Sequence, residues 1–127
     1  MTRKTPICPD RIRKVTEQFS WVDHRLVRDH YLDRMTHKAA ALYLFLVTVA
    51  DSQGLSYYSD VSVCGRLAMN ETSLDSARSE LRQTGLVAYK RPVYQVLPLG
   101  EALAAKRAAG EPMAIGEIFK KLAGGVQ

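Results

Sequence analysis

Residues 67–87, LAMNETSLDSARSELRQTGLV, restrict the possible folds of this chain more than any other segment. Asn70 carries a side-chain oxygen suited to accept from an amide two or three residues ahead, so a helix starts near Glu71. Leu74, Ala77 and Leu81 then recur at helical spacing, with Leu74 and Leu81 two full turns apart on one face. Thr72, Ser73, Asp75, Ser76, Ser79 and Arg82 project elsewhere. Gly85 supplies the left-handed residue that commonly ends a helix, and Leu86 is placed to fold back onto the last turn. A helix over 71–84 therefore gives one stripe to a core and leaves the rest of its surface polar.

The flanking residues extend this helix into a unit. Ser59 is placed to cap a short helix over 60–68, in which Val63 and Leu67 share a face. Ala68 is small enough for a neighbouring helix to approach, while Gly65 weakens the run. Two helices then meet at a tight turn around Met69 and Asn70. After Gly85, residues 87–90 and 93–97 are β-rich and joined by Arg91 and Pro92, which is the pattern of an antiparallel hairpin. Tyr89 and Tyr94 are expected to pack that hairpin onto the core rather than to stack on a base.

Upstream, Thr36 caps a helix over 37–52 in which Leu42, Leu46 and Val49 share a face that Tyr43, Phe45 and Val47 widen. This helix is expected to form the centre of the core, Gly54 to end it, and 55–58 to supply a short strand beside the hairpin. Residues 23–35 read as a polar, partly helical lead-in with apolar contacts from Leu26, Val27, Tyr31 and Leu32. Residues 1–18 carry Arg3, Lys4, Arg11, Arg13 and Lys14 against Asp10 and Glu17, with Pro6 and Pro9 interrupting any helix. They form a basic, flexible leader that either follows phosphates or is simply solvated. Residues 99–127 read as a helical extension: an alanine-rich piece to Gly110, then a second piece opened by Pro112. There Ile115, Ile118, Phe119 and Leu122 make an amphipathic stripe that packs on its own domain or meets a homodimer or other protein partner.

A chain of 127 residues is expected to form one compact domain with tails, and 18 Lys and Arg against 13 Asp and Glu favour an anionic partner. Cys8, in the leader, and Cys64, in a predicted helix, make no disulfide framework and read as reduced thiols of a cytoplasmic protein. The basic start at 1–4 is not followed by a signal-peptide core, and the apolar run 39–50 is shorter than the roughly 20 residues that span a bilayer. His24, His30 and His37 accompany Asp23, Asp29 and Asp33 at spacings that match no compact metal-ligand motif. Neither a phosphate loop nor a nucleophile elbow is present, so no metal, cofactor or catalytic residue is expected and the chain does not read as an enzyme.

Over 19–97 the sequence resembles the winged helix-turn-helix domains of phage and plasmid replication initiators and of related bacterial mobile-element proteins. The matching pieces are Phe19 and Trp21, the segment VDHRLVRDHYLDRMTHKAAALYLFLVTVADSQG, then YSDVSVCGRLAMN and the 67–87 pattern. The resemblance implies a mainly α fold with a small β-hairpin, a winged helix-turn-helix over 19–98 between the N-terminal arm and the C-terminal extension. It also implies a double-stranded DNA partner, in replication, segregation or transcriptional control. The 71–84 helix then enters the major groove, where Thr72, Ser73, Ser76 and Ser79 reach base edges or backbone and Arg78 and Arg82 reach guanine or phosphate. Lys90 and Arg91 grip phosphate from the wing tip. For each of these side chains an ordinary solvated helix or hairpin face is the plainer alternative.

Charge works against this expectation. Glu71, Asp75 and Glu80 outnumber Arg78 and Arg82 on the 71–84 helix, which therefore repels phosphate. Affinity must then come from the leader, Arg25, Arg28, Arg34, Lys38 and the wing. The alternative is a protein-interaction adaptor on a winged-helix scaffold, with the acidic helix meeting a protein.

Overall fold

Each of the three longer helices begins at a residue whose side chain caps it. In the computed structural model, which describes residues 4–100, α2 (His37–Val49) starts after Thr36, whose hydroxyl accepts from the Ala39 amide. Helix α3 (Asp60–Leu67) starts after Ser59, which accepts from Ser62, and α4 (Glu71–Gln83) starts after Asn70, which accepts from Ser73 at 2.7 Å. A short α1 (Arg25–Arg28) precedes them. Strands β1 (Leu55–Tyr57), β2 (Val87–Lys90) and β3 (Val93–Val96) form an antiparallel sheet in the order β1-β3-β2. The described residues are thus mainly α with a small hairpin. The stripe at Ile115, Ile118, Phe119 and Leu122 lies outside them.

The helix ends follow from backbone chemistry. Gly85, at φ +79°, closes α4: its amide donates to Arg82 and the Leu86 amide to Leu81, the paired bonds of a Schellman motif. Ala68 differs from expectation. It lies outside α3, is exposed, and adopts the left-handed conformation at φ 55°, so that the Met69 amide donates to the Cys64 carbonyl. Its small side chain serves the turn rather than a helix contact. Helix α2 ends at Val49 rather than near Ser52, because Asp51 Oδ1 accepts from the Gln53 and Leu55 amides at 2.9 Å and folds the chain into a turn. Gly54 accordingly does not end the helix. It sits at φ +86° against β3, with its carbonyl accepting from the Val96 amide at 2.8 Å.

Sheet register places Leu55 opposite Gln95, Val87 opposite Val96 and Lys90 opposite Val93, leaving Arg91 and Pro92, joined by a cis peptide, as the hairpin turn. The core lies where α2 crosses α4 and the sheet closes one side. Ala39, Leu42 and Leu46 of α2 meet Leu74, Ala77 and Leu81 of α4, with Val63, Leu86 and Tyr94 fully buried around them. Each fully buried leucine contributes roughly 1.5–3 kcal/mol by removal from water. Val49 is only half-buried and Leu44 is exposed, so the buried face of α2 is centred on Ala39, Leu42 and Leu46. From the lead-in, Leu26 is buried and Tyr31 partly so, whereas Val27 and Leu32 face solvent. Residues 4–22 are exposed, with a single 3-10 turn at Pro9–Arg11. Among the described residues no helix is long and apolar enough to cross a membrane.

Two substitutions test the backbone argument in opposite directions. A Cβ at Gly54 would lie 2.6 Å from the Val96 carbonyl oxygen, on top of the positive φ. Gly54→Ala is expected to cost about 2 kcal/mol or more, and Ala68→Gly to add about 1 kcal/mol, read as shifts of the urea midpoint at constant m-value. The start of α1 supplies a pH test. Asp23 accepts from the side chain and the backbone amide of Arg25, bonds that hold its carboxyl down to about 2. Its contribution to stability is therefore complete above the unfolded value near 4 and is lost as pH falls through about 2. A carboxyl NMR titration of Asp23 is expected to show this low midpoint.

Candidate nucleic-acid interface

Helix α4 has three surfaces with different chemistry. Leu74, Ala77 and Leu81 are buried against α2. On the opposite side Thr72, Ser76, Ser79 and Gln83 are all exposed, in one row at i, i+4, i+7 and i+11. The row contains hydroxyls and one amide, and no charge. Glu71, Asp75 and Arg82 share the flank beside it. On the other flank Ser73 is half-buried, and its Oγ accepts from Lys38 Nζ at 2.9 Å. Of the expected contact residues, Thr72, Ser76 and Ser79 thus face outward together, Arg82 is exposed on the flank beside them, and Ser73 is engaged with α2.

Arg78 corrects the sequence reading. Only 8% of its surface is exposed, and its guanidinium is used inside the domain. Nη1 donates to Asp60 Oδ1 at 2.9 Å and to the Tyr94 hydroxyl at 2.8 Å, and Nη2 donates to Asp75 Oδ1 at 2.6 Å. The Tyr89 ring lies beneath the guanidinium at 4.3 Å, and Tyr89 also packs on Tyr94 with ring centroids 4.5 Å apart. Burial opposes the charge on Arg78, but the bonds to Asp60 and Tyr94 outweigh it and hold the guanidinium firmly charged. Arg78 is therefore not positioned to reach guanine or phosphate. The signal was present in its spacing, since Arg78 lies four residues after Leu74 and three before Leu81, at the edge of the buried stripe.

The acidic residues also have internal partners. Glu80 accepts from the Thr36 amide at 2.6 Å and from the Thr36 hydroxyl at 3.0 Å, which places its carboxylate at the positive end of α2. Asp75 is paired with Arg78. Two of the three carboxylates expected to repel phosphate are thus engaged locally, and Glu71 remains.

Exposed cations lie on the other elements. Lys90 and Arg91 occupy the hairpin tip, and Arg66 is exposed on α3. Arg28 approaches Asp29 at 3.8 Å, and Arg34 lies over the Tyr31 ring at 5.5 Å. Arg25 is bound to Asp23 at 2.7 Å and is a poor source of phosphate affinity. Lys4, Arg11, Arg13 and Lys14 are exposed along the leader. Sequence reasoning missed Gln83 and Arg66; for Gln83 the signal was its place four residues beyond Ser79.

Among the described residues no three His, Cys, Asp or Glu side chains form a group that could hold a metal ion, and His30 Nδ1 instead contacts Asp33 at 2.9 Å. Cys8 and Cys64 are both free, and burial, together with Glu71 and Asp60, pushes the Cys64 thiol up, away from the reactive thiolate. Comparison with known proteins adds no constraint: no family model matches the chain, and no curated protein or solved structure is significantly similar to it.

Removing the guanidinium leaves Asp60, whose side chain is 30% exposed, and the buried Tyr94 hydroxyl without their partner. Arg78→Met is expected to destabilise the domain by about 1–3 kcal/mol, less than a fully buried pair because water still reaches Asp60. Arg78→Lys is expected to recover only part of this, since one ammonium does not reproduce the fork that spans Asp60, Tyr94 and Asp75. Urea unfolding of the two variants checks both statements.

Proposed function

We propose that this chain is a double-stranded-DNA-binding protein built on a winged helix-turn-helix. The observation that carries the reading is the outward face of α4. It offers four uncharged hydrogen-bonding side chains in a row, while Arg78 and Glu80 bond partners on other elements and the exposed Asp75 is paired with Arg78. The order α2-β1-α3-α4-β2-β3, with two capped helices meeting at Ala68 and Met69 and a hairpin following, supports the same reading.

In the mechanism, α4 lies in the major groove and Thr72, Ser76, Ser79 and Gln83 meet base edges. Phosphate contacts come from Arg82, from Lys90 and Arg91 at the wing tip, and from the leader cations. Replication, segregation or transcriptional control of a plasmid, phage or mobile element is the process suggested by the resemblance over 19–97, in a cytoplasm where both thiols stay reduced. The adaptor alternative loses part of its basis, because Asp75 and Glu80 have partners within the domain.

Duplex binding measured across a salt series tests the proposal. Affinity is expected to fall linearly in log K against log salt, and replacing both Lys90 and Arg91 by Ala to flatten the slope by about two. Absence of binding to any duplex at low salt would sink it.

A further inference from the structure

With Arg78 held inside the domain, the outward row of α4 is Thr72, Ser76, Ser79 and Gln83. None of the four uses its side chain in a hydrogen bond among the described residues, so all of their polar groups are available to a ligand. Both ends of the row are set in fixed turns. Thr72 lies in the first turn, held by the Asn70 cap on Ser73. Gln83 lies in the last, where the Gly85 amide bonds Arg82, the Leu86 amide bonds Leu81, and the Thr84 hydroxyl bonds the Leu81 carbonyl at 3.1 Å. Their side chains therefore project from defined backbone positions, the condition for discriminating one base from another.

The residue types decide which base. Guanine is read chiefly by a bidentate arginine or lysine at O6 and N7, and this row contains neither. A glutamine amide has the paired donor and acceptor that match N7 and N6 of adenine, and the threonine methyl fits against the C5-methyl of thymine. A serine hydroxyl rotates between donor and acceptor and tells bases apart weakly. The free arginine of α4, Arg82, stands on the flank with Glu71 and Asp75, away from the row.

The geometry points to an A·T-selective reader: on the DNA-binding reading above, Gln83 takes an adenine edge, Thr72 takes a thymine methyl, and Ser76 and Ser79 leave the steps between them tolerant. Eleven residues at 1.5 Å each separate Thr72 from Gln83 by roughly 16 Å; the groove path per base-pair step is longer than the 3.4 Å axial rise, so the two side chains fall about three to four steps apart.

Selection of bound duplexes from a random DNA pool by the full chain tests this. The expected result is two A·T-selective positions about three to four base pairs apart with tolerant positions between them. Gln83→Ala is expected to reduce discrimination at one of the two by about tenfold. Gln83→Arg is expected to move the preference at that same position from A·T to G·C, a switch that damage to the fold does not produce. A selected site dominated by G·C pairs, with a preference lost in Arg82→Ala, would overturn the assignment and leave DNA binding intact. Equal retention of all duplexes overturns it in the same way, whereas retention of none at low salt removes the DNA-binding reading along with it.

Discussion

The Arg78 guanidinium is the junction on which the arrangement of helices and hairpin depends. It ties the first residue of α3, through Asp60, to β3, through Tyr94, and to its own helix through Asp75, while the Tyr89 ring of β2 covers it. A buried ion pair of this kind adds little net stability over an apolar isostere, because desolvation offsets the attraction. Its geometric effect is larger: a charge taken out of water has to keep its partners, so α3, α4 and both hairpin strands are held at one mutual orientation. The hydrophobic contacts between α2 and α4 are non-directional and do not impose that orientation by themselves.

The same junction shapes the outer surface. Arg78 and Glu80 are drawn to partners within the domain, and the outward row of α4 is uncharged, flanked by Glu71, Arg82 and an Asp75 that stays exposed while bonding Arg78. An acid at a helix start is favourable to the macrodipole, which gives Glu71 a structural reason to be there. Cations are displaced to the hairpin tip, to α3 and to the leader. In the proposed complex this separates two tasks. Phosphate affinity falls to the periphery, and base discrimination to the row, where long-range charge contributes least.

Much of the fold was legible in the sequence because its signals are local. Caps at Thr36, Ser59 and Asn70 act across three residues, and the Gly85 closure of α4 involves only its neighbours. The hairpin turn at Arg91 and Pro92 and the strand near Leu55 follow from alternation and breakers in the same way. Misreadings occurred where a local signal was silent or had a competitor. Alanine at position 68 does not announce a left-handed turn, because that conformation is imposed by the packing of α3 against α4. The end of α2 was set by the Asp51 turn, and Gly54 answers to a strand far along the chain, at Val96.

The candidate site was less legible. Composition and spacing alone determined that a helix over roughly 71–84 exists, which apolar face it buries, and that Thr72, Ser76, Ser79 and Arg82 lie off that face. Only the tertiary structure decided which charges are free. Asp60 and Tyr94 reach Arg78 across 18 and 16 residues of chain, and Thr36 reaches Glu80 across 44. Helical periodicity describes where a side chain leaves its own axis. It carries no record of the partner that a long arginine or glutamate finds on another element, and that partner determines whether the charge remains available to a ligand.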